Sequence, residues 1–182
     1  RSEYAGAPPA ELPAFWLDRH ELSNREWKSF VDAGGYRRPE LWKHPFLRGG
    51  RPIPFTEAMK LFRDRTGRPG PATWQLGIYP DGQAEHPVGG LSWFEAMAYA
   101  RFRGKELPTA SHWYRAASSL NMHIDTVAAA VLRRGNFGGR STQPVGRAGA
   151  IGPYGTDDMA GNVREWLWTT MGNDRMVAGG AW

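Results

Sequence analysis

Twenty-three glycines and 14 prolines are spread through 182 residues, with 9 Trp, 8 Phe and 6 Tyr scattered between them. So much aromatic surface has to be buried, which excludes intrinsic disorder. So many helix- and strand-breaking residues exclude long regular elements and point to a loop-rich fold with many special backbone angles. The length suits one domain with a real core. No apolar run approaches the roughly 20 residues of a membrane-spanning helix. The opening Arg1-Ser2-Glu3 has neither an initiator Met nor a charged-then-apolar leader, and reads as part of something longer.

Local signals are clearest at helix starts. Ser23 followed by Glu26, and Ser92 followed by Glu95, each form a capping-box pattern. The first predicts a helix with Trp27, Phe30 and Val31 on its apolar face, stopped by Gly34-Gly35. The second predicts a helix to about Arg103, with Ala96, Tyr99 and Ala100 inward. Thr109 caps a further helix carrying Trp113, Ala116 and Ala117, and Asp125 caps another through Val127, Val131 and Leu132. A helix over Thr56–Thr66 would turn Ala58, Leu61 and Phe62 inward.

Strands are expected at Ala14–Leu17, Thr73–Ile78, Gln143–Arg147, Val163–Thr169 and Met176–Ala178. Residues 36–55 read as an irregular excursion. Helices and strands do not alternate regularly, so the class is α+β rather than a doubly wound sheet. Residues 1–13 read as a lead-in, and 14–182 as a single domain.

Net charge is +5, concentrated in residues 37–68, where nine Arg/Lys stand against Glu40, Glu57 and Asp64. A basic patch can bind nucleic acid, but no stacking or nucleic-acid motif accompanies this one, so a solvated surface face is the expectation. On that reading the segment adds little to the core. Cysteine is absent, so these residues supply no disulfide, thiolate metal site or cysteine nucleophile.

Four ordered blocks carry a family resemblance. They are His86-Pro87-Val88-Gly89-Gly90-Leu91-Ser92-Trp93, then Leu107-Pro108-Thr109 with Trp113 and Ala116-Ala117. Gly155–Trp166 follows, and Gly179-Gly180-Ala181-Trp182 closes the set. Together they resemble the formylglycine-generating enzyme, or sulfatase-modifying factor, family, and the Phe15–Asn24 segment is similar to its opening. The resemblance implies a C-type-lectin-like fold. The family spans copper-dependent oxidases that convert a substrate cysteine to formylglycine, non-haem iron sulfoxide synthases and ligand-binding domains. Versions with the Gly-Gly-Ala-Trp ending look like domains attached to bacterial Ser/Thr kinases.

The resemblance also bears on chemistry. The oxidases hold copper with two cysteines shortly after the Gly-Gly-Ser-Trp block, so copper is implied here only if cysteines lie beyond Trp182. Iron-dependent relatives use histidine sets. His20, His44, His86, His112 and His123 have no such spacing and read as turn, capping or surface residues. Where the family has Leu-Pro-Thr-Glu-Ala-Glu-Trp-Glu, this chain has Ala110, Ser111, His112 and Tyr114 in place of the acids and the intervening alanine. His112 at the N3 position is not expected to do a carboxylate's work.

The family's calcium site maps onto Asp158, Gly161, Val163 and Glu165. Two carboxylates and two backbone carbonyls are hard oxygen donors suited to Ca²⁺. The alternative is an ordinary turn in which Asp158 and Asn162 bond only to backbone. A second family site could begin at Asn136-Phe137, without a matching downstream Asp. Trp93, Trp113, Trp166 and Trp182 read as core. The resulting expectation is a calcium-stabilised binding or sensory module of a larger bacterial protein. The alternative is a cysteine-oxidising copper enzyme.

Overall fold

The computed structural model describes residues 11–118, 135–147 and 152–182. Short elements hang on long ordered loops. Helix α1 (Asn24–Asp32) is followed by 3₁₀ turns at Gly35–Arg37 and Pro39–Leu41, then by strands β1 (Phe46–Arg48) and β2 (Arg51–Ile53). Next come α2 (Phe55–Ala58), α3 (Trp93–Phe102), α4 (Ala110–Ala117), β3 (Arg164–Met171) and β4 (Asp174–Gly179). β1 pairs antiparallel with β2, and β3 antiparallel with β4. The class is loop-rich α+β. No helix among the described residues is long and apolar enough to cross a membrane.

Both capping boxes form. Ser23 Oγ accepts from Glu26 N–H, and Ser23 N–H donates back to Glu26 Oε2 at 2.9 Å. Ser92 and Glu95 repeat the arrangement, with Ser92 N–H donating to Oε2 at 2.8 Å. Glu95 Oε1 also accepts from the Tyr36 hydroxyl at 2.6 Å, fastening the turn after α1 to the start of α3. Burial raises the Glu95 carboxyl above its usual range, and it also raises the Tyr36 phenol.

At α4, Thr109 Oγ1 accepts from His112 N–H, and His112 Nδ1 meets the same hydroxyl at 2.6 Å. The imidazole thus has a capping role at N3 without doing a carboxylate's work. It pairs with the cap hydroxyl rather than with the cap backbone.

The main core is aromatic. Trp27 stacks on Tyr99 with centroids 5.2 Å apart, and Trp42 stacks on Phe62 at 5.2 Å. Leu41, Trp42, Phe46, Ala58, Met59 and Phe62 all belong to this core. The expectation that 37–68 adds little to the core is thus overturned: the arginines face out while the aromatic residues between them face in. A second cluster joins Trp113 and Ala116 of α4 to Met159 and Leu167.

Other expectations also give way. Ala14–Leu17 forms no strand, and Trp16 is fully exposed. Thr73–Ile78 is a turn closed by an isolated Gln75–Ile78 bridge, and Gln143–Arg147 is also a turn. The helix at 56–66 ends after α2, leaving Leu61 exposed. Asp64 shapes the chain that follows. Its Oδ1 accepts from Thr66 N–H and Arg68 N–H, and its Oδ2 from Gly77 N–H at 2.7 Å, so the carboxylate organises a loop in place of further helical turns. These bonds hold the Asp64 carboxyl below its usual range despite burial.

The excursion is also more regular than expected. Gly49 and Gly50, at φ +56° and +78°, make the two-residue turn of the β1–β2 hairpin. Among the four family-block tryptophans, Trp93 and Trp113 are buried, Trp166 is half-buried, and Trp182 is exposed. The helix expected from Asp125 lies outside the described residues, as does His123.

Candidate metal centre

The Asp158–Glu165 segment folds as a strained turn running into β3. Asp158, Gly161 and Asn162 all have positive φ, at +56°, +93° and +59°. Gly161 has no alternative, because a Cβ there would sit 2.6 Å from the backbone nitrogen of Asn136. Left-handed non-glycine residues are held in place only when surrounding contacts over-determine them.

Asn162 shows how this is done. Its side-chain oxygen accepts from Gln143 N–H at 2.8 Å and from Asn136 Nδ2 at 3.3 Å. Its side-chain nitrogen donates to Glu21 Oε2 at 2.6 Å and to the Gln143 carbonyl at 3.2 Å. Asn136 spends its amide on the Ser141 carbonyl and on Asn162, within one polar network.

Three carboxylates converge electrostatically on this turn. Asp158 is only 3% exposed, and its Oδ2 accepts from Gly146 N–H at 2.8 Å. Glu165 Oε2 accepts from Trp113 Nε1–H at 2.7 Å. Glu21 accepts from Asn162 and, at Oε1, from Val163 N–H at 3.0 Å. Burial pushes the Glu21 carboxyl up to about 8, with the charges of Glu165 and Asp158 adding to the effect. Burial and the Asp158 charge push Glu165 up to about 7. Asp158 is raised by burial and by neighbouring Asp157.

Asp157 itself is bound by Arg19 Nε at 2.9 Å, while its Oδ1 is buried without a hydrogen-bond partner. Buried like charges of this kind call for protons or a cation.

The chemistry of the expected donors is that of hard oxygen ligands. Asp158 and Glu165 each commit one oxygen to a hydrogen bond, leaving Oδ1 and Oε1 as donors. Among the described residues, no three His, Cys, Asp or Glu side chains lie close enough to hold a metal ion alone. A cation at this turn would have to draw on backbone oxygens as well, and the expected set supplies those of Gly161 and Val163. Oxygen-only ligation suits Ca²⁺ and disfavours soft metals.

Glu21 was missed from sequence. It lies 137 positions before Asp158 in the numbering, and nothing local marks it as more than a helix-preceding residue. With both oxygens hydrogen-bonded, it positions the turn.

Beside the turn runs a groove of about 940 Å³, lined by Glu21, Asn162, Val163, Glu165, Tyr99 and Trp166 among others. The turn thus joins a polar floor to an apolar wall.

The family model of the sulfatase-modifying factor enzyme 1-like domain matches residues 2–182. A hercynine oxygenase of Mycobacterium tuberculosis is 32% identical over 188 residues, covering 88% of this chain and 38% of that protein. The serine/threonine-protein kinase Pkn1 of Chlamydia trachomatis is 33% identical, covering 85% of this chain and 23% of the kinase. A formylglycine-generating enzyme of Thermomonospora curvata is 31% identical, covering 85% of this chain and 59% of the enzyme. The chain therefore spans less than two thirds of each of these relatives. The ordered blocks, the loop-rich α+β architecture and the match over residues 2–182 place the chain in the sulfatase-modifying factor enzyme 1-like family.

Proposed function

We propose that this domain is a calcium-stabilised binding module of a larger bacterial protein. The observation that carries the reading is the placement of buried Glu21 and Asp158 and half-buried Glu165 within reach of one another's charge. A bound Ca²⁺ supplies positive charge that lets all three remain ionised in the folded protein. Asp158 and Glu165 would hold it, with the carbonyls of Gly161 and Val163. Glu21 fixes the turn through Asn162 and Val163.

Two facts favour binding over oxidation for these residues. They contain no cysteine, so a Cu(I)-binding thiolate pair would have to come from elsewhere. Similar domains also occur within Ser/Thr kinases, where a recognition or sensory role is a natural use.

Elemental analysis of protein purified without chelator, combined with melting curves in EDTA, Ca²⁺ and Mg²⁺, tests the proposal. The expected result is bound calcium and a higher melting temperature in Ca²⁺ than in Mg²⁺ or EDTA. At free Ca²⁺ about 100 times its dissociation constant, linkage gives roughly 2.7 kcal/mol of added stability. Absence of bound calcium together with superimposable melting curves refutes it.

A further inference from the structure

A smaller cavity, of about 260 Å³, opens between the end of α1 and the loop that follows α2. Its walls include Val31, Tyr36 and Pro69. The Tyr36 hydroxyl is spent on buried Glu95, so what Tyr36 offers the cavity is its ring. Arg37 and Arg68 line the same cavity. Each lies over a left-handed glycine. A Cβ on Gly34, at φ +73°, would stand 3.1 Å from Arg37 Nη2, and one on Gly77, at φ +78°, 3.4 Å from Arg68 Cδ. Glycine at these two positions gives the arginines room to fold back against the backbone at the edge of the cavity.

Neither arginine has a carboxylate partner among the described ion pairs. Arg68 spends Nη1 on the Leu76 carbonyl at 2.7 Å. The acids nearest in sequence are already committed: Asp32 to Lys28, Glu40 to Arg38, and Asp64 to the N–H groups of its own loop. A guanidinium carries several N–H donors in a fixed fork, so both arginines keep donors for an incoming carboxylate.

Two aliphatic side chains stand exposed beside the cavity. Leu76 and Ile78 flank Gly77 in the chain and are 57% and 49% exposed. Leu76 has φ +57°, a conformation that costs a bulky residue energy. It is held there by its N–H, which donates to Thr66 Oγ1 at 2.9 Å, and by the Arg68 bond to its carbonyl. Glycine or asparagine would take this backbone at less cost, and neither would present an aliphatic surface.

We infer that this cavity is the docking site for an acidic peptide segment of a protein partner, one that carries an apolar side chain between carboxylates. The apolar side chain enters against Val31, Tyr36 and Pro69, the carboxylates pair with Arg37 and Arg68, and Leu76 packs along the bound segment. Charge complementarity argues for this occupant: residues 37–68 hold nine Arg/Lys against three acids, a field that draws in an acidic partner and repels a basic one. The apolar walls and Leu76 favour a peptide over a nucleic acid, whose phosphates are held by charge and need no concave apolar floor. The inference rests on reading the domain as a binding module, but it does not depend on calcium, since the cavity shares no residue with the Asp158–Glu165 turn.

The test is fluorescence anisotropy of a labelled Asp/Glu-rich peptide with a central Leu-Phe pair, titrated with the protein at fixed ionic strength. One control peptide has Ala-Ala in place of Leu-Phe, and another has the acids replaced by their amides. Expected are saturable binding of the first peptide and roughly tenfold or greater weakening for each control. Arg37→Gln should weaken binding by a similar factor, while Arg51→Gln, which does not line the cavity, should leave it unchanged. Leu76→Gly should also weaken binding, yet melt no lower than the wild type, because glycine relieves the left-handed backbone. A leucine with a purely structural role would show the opposite pair of results. Absence of saturation, equal affinity for the Ala-Ala peptide, or unchanged affinity in folded Arg37→Gln overturns the site. Binding of a single-stranded oligonucleotide that the acidic peptide fails to displace, with Arg37→Gln abolishing it, assigns the arginines to nucleic acid and also overturns it. The calcium response of the melting curve is read separately on the same protein, so failure of this site and failure of the metal reading are distinct results.

Discussion

Trp113 and Glu165 are joined by a 2.7 Å hydrogen bond from the indole nitrogen to a carboxylate oxygen, which ties α4 to the start of β3. The bond uses one carboxylate oxygen, and the other is the donor that the proposed calcium site would use. Glu165 is thus both a packing partner of the second core cluster and a candidate calcium ligand.

Glu165→Gln separates these roles. The amide oxygen can still accept from Trp113, so the fold should persist, while loss of the charge should remove most of the calcium-dependent rise in melting temperature. Trp113→Phe should do the reverse. It should destabilise the domain by about 1–3 kcal/mol through the lost bond and packing while keeping a calcium response. Thermal melts with and without EDTA read both.

The metal-free protein should lose stability as pH rises. Glu21 and Glu165 have reference values of 4.5, and in the folded chain they are raised to about 8 and about 7. The folded state therefore binds more protons between those limits, and stability present at about pH 5 is progressively lost up to about pH 8.5. Calcium should flatten this slope, because the cation replaces the protons. Denaturant titrations at several pH values, with and without Ca²⁺, provide the check.

The basic segment should be structurally indispensable. Trp42 is buried against Phe62, Tyr36 and Phe46, so Trp42→Ala should cost about 3–5 kcal/mol. Leu61 is exposed, and Leu61→Ala should change stability by less than about 0.5 kcal/mol. Urea unfolding of the two variants distinguishes this core from a solvated flap.

Asp64→Asn should destabilise by roughly 2 kcal/mol, although it is nearly isosteric. An amide cannot accept at both positions, and its NH₂ would face the donor N–H of either Gly77 or Thr66 and Arg68. Amide exchange across residues 64–77 should accelerate in the same variant.

Capping boxes and family blocks were legible because their causes are local. Ser23 and Glu26, or Ser92 and Glu95, satisfy one another within a single turn, so four residues suffice to recognise them. The strands β3 and β4 were legible from their residue types and are slightly longer than expected, while their antiparallel pairing came from the structure. The β1–β2 hairpin carried a signal too, in Gly49-Gly50, but the surrounding prolines masked it.

The sequence by itself determined the helix starts, the loop-rich class and the ordered blocks that mark the family, because each depends on residues close together or on a pattern of residue types. Only the tertiary structure decided what the isolated charges mean. Glu21 reaches Asn162 and Val163 across most of the chain, and Asp64 gathers the N–H groups of Thr66, Arg68 and Gly77 into one loop. Arg175 and His44 pack against Trp93 and Trp168, two indoles contributed by different elements. A carboxylate or guanidinium has the same chemistry in any sequence. Its charge state and its partner follow from burial and from neighbours brought together by folding, and neither is encoded in the residues beside it.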